Sequence, residues 1–287
     1  MHKLIFSVLL ILFGLGTSWA QEAYTISHGG KPSTLAALAK EAAKADVVLF
    51  GELHDSPMAH WCQLELYKLL AAEAKAKGKP LAIGMEMLEA DDQTVLDEYL
   101  KGWLKPDALK AAANLWDNYE ADYGPLVEAA KAAGQRVIAT NVPRRYASLV
   151  ARRGLAVLDS VSPLAKAWLP ALPLAIDYAQ PSYAAMLEMM GGEGHGMPTG
   201  TGNPAKQFVA AQALKDATMA QNIAKNMVPN GLFYHLNGSY HSDDREGIIA
   251  YLLKLKPKAK IITITTGREG EETKKATEAD YFLQVAF

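Results

Sequence analysis

The sequence predicts an α/β protein with a mainly parallel sheet flanked by helices and with a helical insertion or small subdomain. Three observations support this prediction. Five short apolar runs, rich in β-branched or aromatic residues, are bounded by polar residues or glycines, as buried strands are. Helical segments lie between these runs, and this alternation is typical of a parallel sheet. The rhythm breaks over residues 155–203, where prolines, methionines and glycines accumulate.

The predicted elements follow one another in a regular order. The predicted strands are residues 46–50, 80–85, 136–140, 231–236 and 259–266. The predicted helices are residues 57–77, 91–101, 119–133, 143–152, 204–227 and 244–255. Pro57 is typical of a helix start, because the first turn leaves its amide hydrogens unpaired, and Gly78 is typical of a helix end. We interpret residues 155–203 as a helical insertion over the sheet that ends in a glycine-rich loop.

The N-terminus resembles a secretory signal peptide. Lys3 precedes an apolar stretch that reaches about Leu15, and Ser18-Trp19-Ala20 has the small-x-small pattern of a cleavage site. An uncleaved anchor is the alternative, but the stretch is shorter than the roughly 20 residues that a membrane-spanning helix needs. We therefore expect residues 1–20 to be removed and residues 21–287 to form an exported, soluble domain in a bacterial periplasm.

Composition and cysteine content exclude several classes of protein. The 287 residues carry a formal net charge of −2. The sequence has no run in which basic and aromatic residues alternate, as nucleic-acid-binding proteins often have, so no nucleic-acid partner is expected. Cys62 is the only cysteine, so the chain forms no intramolecular disulfide. It lies well past the predicted cleavage site and is therefore not the lipid-bearing cysteine of a mature lipoprotein.

Ionisable and amide side chains follow four of the predicted strands. The first strand is followed by Gly51, Glu52 and His54, the second by Glu86, the third by Asn141, Arg144 and Arg145, and the fourth by Asn237, Gly238 and His241. In an open parallel sheet the carboxyl ends of the strands share one edge, and ligands bind in the crevice outside that edge. Any one of these residues alone would be typical of a cap or a turn. Four coincident strand ends predict a common binding crevice.

Two of these strand ends share the motif G-x-x-H, in GELH (51–54) and GSYH (238–241). Together with Glu86 they resemble the ChaN-like haem-binding proteins, of the superfamily that also contains TraB, the Tiki proteases and the erythromycin esterases. Further matches to the ChaN-like pattern are HDSPMAHWCQ (54–63), TNVPRR (140–145) and QALKDATMAQNIAKN (212–226). The resemblance runs from about residue 40 to about residue 270. ChaN-like proteins are often lipoproteins, and this chain departs from them in lacking the required cysteine.

The resemblance implies non-covalent haem binding for haem or iron uptake, with a tyrosine as the iron ligand. Ferric iron favours an anionic phenolate, and nearby cations lower the pKa of the phenol. Tyr146 directly follows two arginines and fits this role, although a helical tyrosine fits packing equally well. The implied haem-binding residues are Glu52, His54, Glu86, Arg144, Arg145, Tyr146, His195 and His241. Among them Tyr146, His54 and His241 are the candidate iron ligands, and His195 is a candidate lid residue.

The same residues also fit an enzyme. Tiki-like proteases imply a divalent metal ion bound by His54, Glu86 and His241, with a metal-activated water for hydrolysis. Erythromycin esterases imply a metal-free version in which a histidine is the general base. A third interpretation is a periplasmic interaction protein whose ionisable cluster only caps the sheet.

Two macromolecular partners are expected besides haem. One is a second copy of the chain, because the predicted helices 57–77 and 204–227 carry wide apolar faces that fit a dimer interface as well as a core. The other is an outer-membrane haem-uptake receptor.

Overall fold

The computed structural model describes residues 23–190, 203–270 and 279–286. Eight strands are found there: β1 Tyr24–His28, β2 Lys31–Ser33, β3 Val47–Glu52, β4 Leu81–Glu89, β5 Arg136–Asn141, β6 Leu232–Gly238, β7 Ile261–Arg268 and β8 Tyr281–Val285. They form one sheet in the order β2-β1-β8-β7-β3-β6-β4-β5. The predicted α/β fold with a mainly parallel sheet is confirmed.

The parallel part of the sheet contains all five predicted strands. β3 pairs in parallel with both β6 and β7, and β4 pairs in parallel with both β5 and β6. β8 continues the parallel set beside β7, whereas β1 is antiparallel to β8 and β2 is antiparallel to β1. β3, β4 and β6 are buried along their whole length, which explains their continuous apolar sequences.

Ten α-helices surround the sheet in the described residues. They are α1 Leu35–Ala42, α2 Pro57–Ala76, α3 Gln93–Leu100, α4 Pro106–Ala112, α5 Gly124–Ala132, α6 Arg144–Arg153, α7 Pro163–Lys166, α8 Pro181–Met189, α9 Pro204–Asn226 and α10 Ile248–Leu255. α2 begins as its sequence predicts, with the Ser56 hydroxyl accepting the amide hydrogen of Ala59 at 3.3 Å. None of the described helices is both long enough and apolar enough to span a bilayer.

The helices form a layer on each face of the sheet. Alternate residues of β3 point to opposite faces, so Phe50 packs in the core under α1, α2 and α5 while Leu49 packs in the core under α9 and α10. Within residues 155–190, α7 and α8 are helical, and Tyr183 of α8 packs against α9. The rest of the predicted insertion, residues 191–202, lies outside the described residues.

Candidate functional site

Glu52, the last residue of β3, is a buried hydrogen-bond acceptor. Its Oε1 accepts hydrogen bonds from His54 Nδ1 at 2.7 Å and from the Tyr123 hydroxyl at 2.6 Å, and its Oε2 accepts one from Gln63 Nε2. His60 Nδ1 lies 3.5 Å from Oε2. Because every neighbour offers a donor, the site favours the ionised carboxylate.

The charge of Glu52 is balanced by His60. Burial alone would raise the pKa of Glu52, but the donors from His54, His60 and Tyr123 lower that pKa to about 2. Burial alone would lower the pKa of His60, but its ion pair with Glu52 raises that pKa to about 9. Glu52 and His60 therefore form a buried ion pair behind His54.

His54 is the more accessible partner of Glu52, with 44% of its side chain exposed. Its Nδ1 donates to Glu52, so Nε2 is the nitrogen left to face the crevice. The ring meets Trp116 edge-on, with the ring centroids 5.0 Å apart. Burial lowers the pKa of His54, but the hydrogen bond to Glu52 and the charge of Glu86 outweigh this and raise it.

Glu86 reaches the same edge of the sheet from β4. The pairing of β4 with β5 shifts register between Met85 and Glu89, so this stretch leaves the regular ladder. Glu86 Oε2 accepts the amide hydrogen of Gly238 at 2.8 Å, and Oε1 lies 3.2 Å from His241 Nε2. Burial would raise the pKa of Glu86, but the charge and hydrogen bond of His241 hold it well below its usual range.

His241 is buried between two carboxylates. Its Nδ1 lies 2.5 Å from Asp216 Oδ1, and its Nε2 faces Glu86. Asp216, on α9, also accepts a hydrogen bond from the Tyr183 hydroxyl at 2.6 Å. Burial would lower the pKa of His241, but the two carboxylates raise it to about 10.

The two G-x-x-H glycines allow the backbone to come close to its neighbours. A β-carbon on Gly51 would lie 2.9 Å from Ser239 Cα and 3.1 Å from the Ile264 carbonyl oxygen. A β-carbon on Gly238 would lie 2.7 Å from His54 Nε2. A side chain at position 51 would therefore meet backbone, and one at position 238 would meet the His54 ring, so the absence of side chains lets the two halves of the motif come together.

A cleft of about 770 Å³ lies beside Trp116, between Tyr99, α4, α5 and the start of α6. Trp116 belongs to its wall and also contacts the His54 ring, so Trp116 is the link between the cleft and His54, which is not itself part of the lining. Most of the lining area is apolar, and its charged residues are the cations Lys110 and Arg144 and the carboxylates Asp117, Glu120 and Glu128. This volume is within the usual range for a small-molecule site.

The family described as haem-binding uptake, Tiki superfamily, ChaN matches residues 38–252, about three quarters of the chain. The chain belongs to this family. The family resemblance seen in the G-x-x-H motifs is thereby confirmed. No curated protein matches the chain.

Two solved structures are similar to the chain, and one of them shows the same fold. The structure described as cofacial heme binding to ChaN of Campylobacter jejuni has a TM-score of 0.70 and 21% sequence identity, covering 92% of this chain and 97% of that one. A MARTX toxin effector domain, RRSP from Vibrio vulnificus, has a TM-score of 0.46 and 16% identity, covering 81% of this chain and 36% of that one. At 21% identity the likeness to the ChaN structure is one of fold alone.

The sequence-predicted residues of this ChaN-family chain fall into two groups. Glu52, His54, Glu86 and His241 are brought together at the carboxyl edge of the sheet, joined through Gly238. The arginines and Tyr146 lie at the start of α6, after β5. His195 lies outside the described residues.

The arginines at the start of α6 already have protein partners. Arg144 pairs through Nε with Glu89 and donates to the Asn114 carbonyl oxygen at 2.7 Å, while 58% of its side chain stays exposed. Arg145 pairs with Asp91 at 2.5 Å, and its guanidinium lies 4.8 Å from the centre of the Tyr146 ring. Tyr146 also packs, partly buried, against the apolar cluster between α6 and α9.

Sequence reasoning missed Asp216, His60 and Tyr123. Asp216 and His60 lie inside stretches that carry the family resemblance, 212–226 and 54–63, but neither spacing nor residue type indicated what they contact. Tyr123 gave no signal, because its hydroxyl meets Glu52 only through the packing of a π-helical turn, Tyr119–Tyr123, against α2.

A divalent metal ion would need ligands with free lone pairs. Within residues 23–190, 203–270 and 279–286 no three His, Cys, Asp or Glu side chains are grouped as metal ligands would be. Both nitrogens of His241 face carboxylates, Nδ1 that of Asp216 and Nε2 that of Glu86. His54 Nε2 is the ring nitrogen of this cluster that is open to a ligand.

Proposed function

We propose that the chain binds haem non-covalently at the carboxyl edge of its sheet and serves haem or iron uptake in the cell envelope. The observation that carries this proposal is the family match over residues 38–252, a range that contains Glu52, His54, Glu86 and His241 together with the start of α6. When bound, haem would supply a ferric iron, an apolar macrocycle and two propionates.

The residues at this edge fit such a ligand. Arg145 lies over the ring of Tyr146, whose phenolic oxygen is the type of ligand that binds ferric haem iron. His54 Nε2 is the second candidate ligand, with Glu52 holding the ring from behind. Trp116 provides an apolar wall, and the exposed part of Arg144 can pair with a propionate.

Hemin titration tests the proposal. Purified protein should develop a saturable spectrum with a high-spin, tyrosinate-type charge-transfer band, and Tyr146→Phe should remove that band because only a hydroxyl is deleted. Tyr67→Phe is the matched control, since Tyr67 is a buried helical tyrosine on α2 whose hydroxyl bonds Gln135. Hemin binding that survives Tyr146→Phe moves the ligand role to His54, His241, His195 or another tyrosine, and survival of the tyrosinate band itself indicates another tyrosine. Absence of saturable uptake at micromolar protein rejects haem binding.

A second candidate function is hydrolysis, and the Glu52–His54 pair is the observation that favours it. A carboxylate that fixes Nδ1 and leaves Nε2 open is the arrangement of a histidine general base. Turnover of activated esters or peptides that is lost in His54→Ala would support this function. Insensitivity of that turnover to chelators would indicate the metal-free version, and loss on chelation would indicate a metal-dependent one.

The proposed setting is the periplasm, with residues 1–20 removed. Mass spectrometry of periplasmic protein should show a chain that begins at Gln21. An intact Met1 or a diacylated product contradicts this.

Sedimentation with and without hemin tests the proposed dimer, and cross-linking in intact cells tests an outer-membrane receptor as partner.

A further inference from the structure

Lys215 is a lysine of α9 that lies past the end of β5. The guanidinium of Arg136, the first residue of β5, donates to the side chain of Asn226, the last residue of α9. Near the other end of β5, Asn222 Nδ2 donates to the Thr140 carbonyl oxygen at 2.9 Å, so α9 runs antiparallel to β5. Lys215 precedes Asn222 by seven residues, which places it on the same helix face and about 10 Å farther along the axis. That position is over the crevice at the carboxyl edge of the sheet.

The residues on either side of Lys215 also face the candidate site. Asp216 contacts His241, which follows β6, and Leu214 packs in the apolar cluster that contains Tyr146. Successive residues of an α-helix are about 100° apart, so Lys215 leaves α9 in a direction between these two contacts. The lysine therefore lies between the cluster of Tyr146 and the histidine of the second G-x-x-H motif.

Lys215 is a half-buried cation with no ion-pair partner among the described residues. The two carboxylates near it, those of Asp216 and Glu86, are both engaged with His241. Burial raises the pKa of Glu86, whereas the charges of His241 and His54 lower it. The charge of Lys215 acts in the same direction as these two, so Lys215 lies within electrostatic reach of the crevice floor.

We propose that Lys215 binds a carboxylate of the ligand, so that the crevice selects tetrapyrroles by their carboxylates whether or not they hold iron. The inference rests on the proposed haem-binding function and names the part of the ligand that α9 recognises. An ammonium group carries three donors on a flexible apolar stem, which suits a propionate at the edge of an apolar macrocycle. A propionate ester is uncharged, so it would leave Lys215 without its ion pair.

Arg144 differs from Lys215 in this respect. Its Nε pairs with the buried carboxylate of Glu89, and a propionate would have to share the guanidinium with that residue. Lys215 has no such competitor among the described residues. The geometry therefore makes Lys215 the main carboxylate anchor and Arg144 a secondary one.

Titration with four porphyrins tests the inference. The probes are hemin, metal-free protoporphyrin IX and the dimethyl ester of each, all in the same mild detergent. The unsubstituted protein should bind both acids more tightly than their esters. Lys215→Met should weaken binding of both acids roughly tenfold, as expected when a half-buried charge-assisted hydrogen bond is lost, and should leave binding of the esters unchanged.

Three further variants make the result specific to the charge. Lys215→Gln should behave like Lys215→Met, and it keeps a polar side chain at this half-buried position if methionine is not tolerated. Lys215→Arg should retain the preference for acids over esters, because it keeps the charge. Lys225→Met is the matched control, since Lys225 is an exposed lysine of the same helix.

The outcomes separate this inference from the proposed function. Saturable hemin binding with equal affinity for acid and ester, or with no effect of removing the charge at Lys215, overturns the inference and leaves haem binding in place. Hemin binding without protoporphyrin binding does the same, because iron would then be required. Absence of saturable binding of all four probes overturns both.

Discussion

His54 occupies the space in which a side chain at position 238 would begin, because a β-carbon on Gly238 would lie 2.7 Å from His54 Nε2. The ring can leave this space only by giving up its 2.7 Å bond to Glu52. Gly238, in the second G-x-x-H motif, thus provides the space that the His54 ring of the first motif occupies.

Gly238→Ala should therefore displace His54 and lower the free energy of unfolding by roughly 1–3 kcal/mol, as overpacking does. In a His54→Ala background the same substitution should cost much less, because the ring that it meets is gone. Urea unfolding of the two single variants and the double variant measures this coupling.

Gly51→Ala is the matched comparison. Its β-carbon would meet the backbone at Ser239 and Ile264, which His54→Ala does not relieve. Equal behaviour of the two glycines in the His54→Ala background would contradict the pairing of Gly238 with His54.

Glu52→Gln should destabilise the fold strongly. It leaves the buried His60 imidazolium with only the carboxylate of Asp122, 3.7 Å from Nε2, and breaking one partner of a buried ion pair costs roughly 3–5 kcal/mol. Glu41→Gln is the control, because the one ion pair of Glu41 within the described part of the chain is an exposed pair with Lys44. A loss of unfolding free energy no larger in Glu52→Gln than in Glu41→Gln would show that the Glu52–His60 pair is not a buried ion pair.

Stability should fall as pH rises above 6.5. The folded-state pKa is raised to about 9 for His60 and about 10 for His241, from an ordinary value of 6.5. Between these values the folded chain holds more protons than the unfolded chain, so each histidine contributes a slope of up to about −1.4 kcal/mol per pH unit to the free energy of unfolding. This contribution to the free energy of unfolding is fully present below pH 6.5. The share of each histidine is lost as the pH rises through that histidine's folded-state pKa.

Urea unfolding at a series of pH values measures this slope. Asp216→Asn should flatten it, because His241 then loses one of the two carboxylates that raise its pKa. Identical slopes in the two proteins would mean that His241 does not carry the pH dependence.

Arg144→Ala and Arg145→Ala should affect hemin binding differently. Arg144 has an exposed guanidinium at the cleft, so its loss should weaken binding by roughly 1–3 kcal/mol without changing the charge-transfer band. Arg145 lies over the Tyr146 ring, so its loss should move the band. Absorption spectra and dissociation constants of both variants are the measurement. A band that moves in Arg144→Ala instead would place Arg144, and not Arg145, beside the iron ligand.

The strands that carry the site were predictable, and the border strands of the sheet were not. β3, β4 and β6 are buried on both faces, so their sequences are continuous apolar runs that stand out from the chain. β1 alternates exposed and buried residues, and β2 has three residues and contains a proline, as an edge strand does. Such short polar strands have no sequence signal that separates them from loops.

The sequence by itself determined which ionisable groups stand at the strand ends, because parallel strands must bring their carboxyl ends to one edge. Only the tertiary structure decided which partner each group has. Asp216 meets His241 because α9 packs on the sheet, and Glu86 meets the Gly238 amide across 152 residues of chain because β4 and β6 are neighbours. Those partners fix the charge of each histidine, since hydrogen bonds and nearby charges, and not residue type, set a pKa inside a protein. Two histidines in the same motif thereby differ, His54 with an open nitrogen and His241 with none.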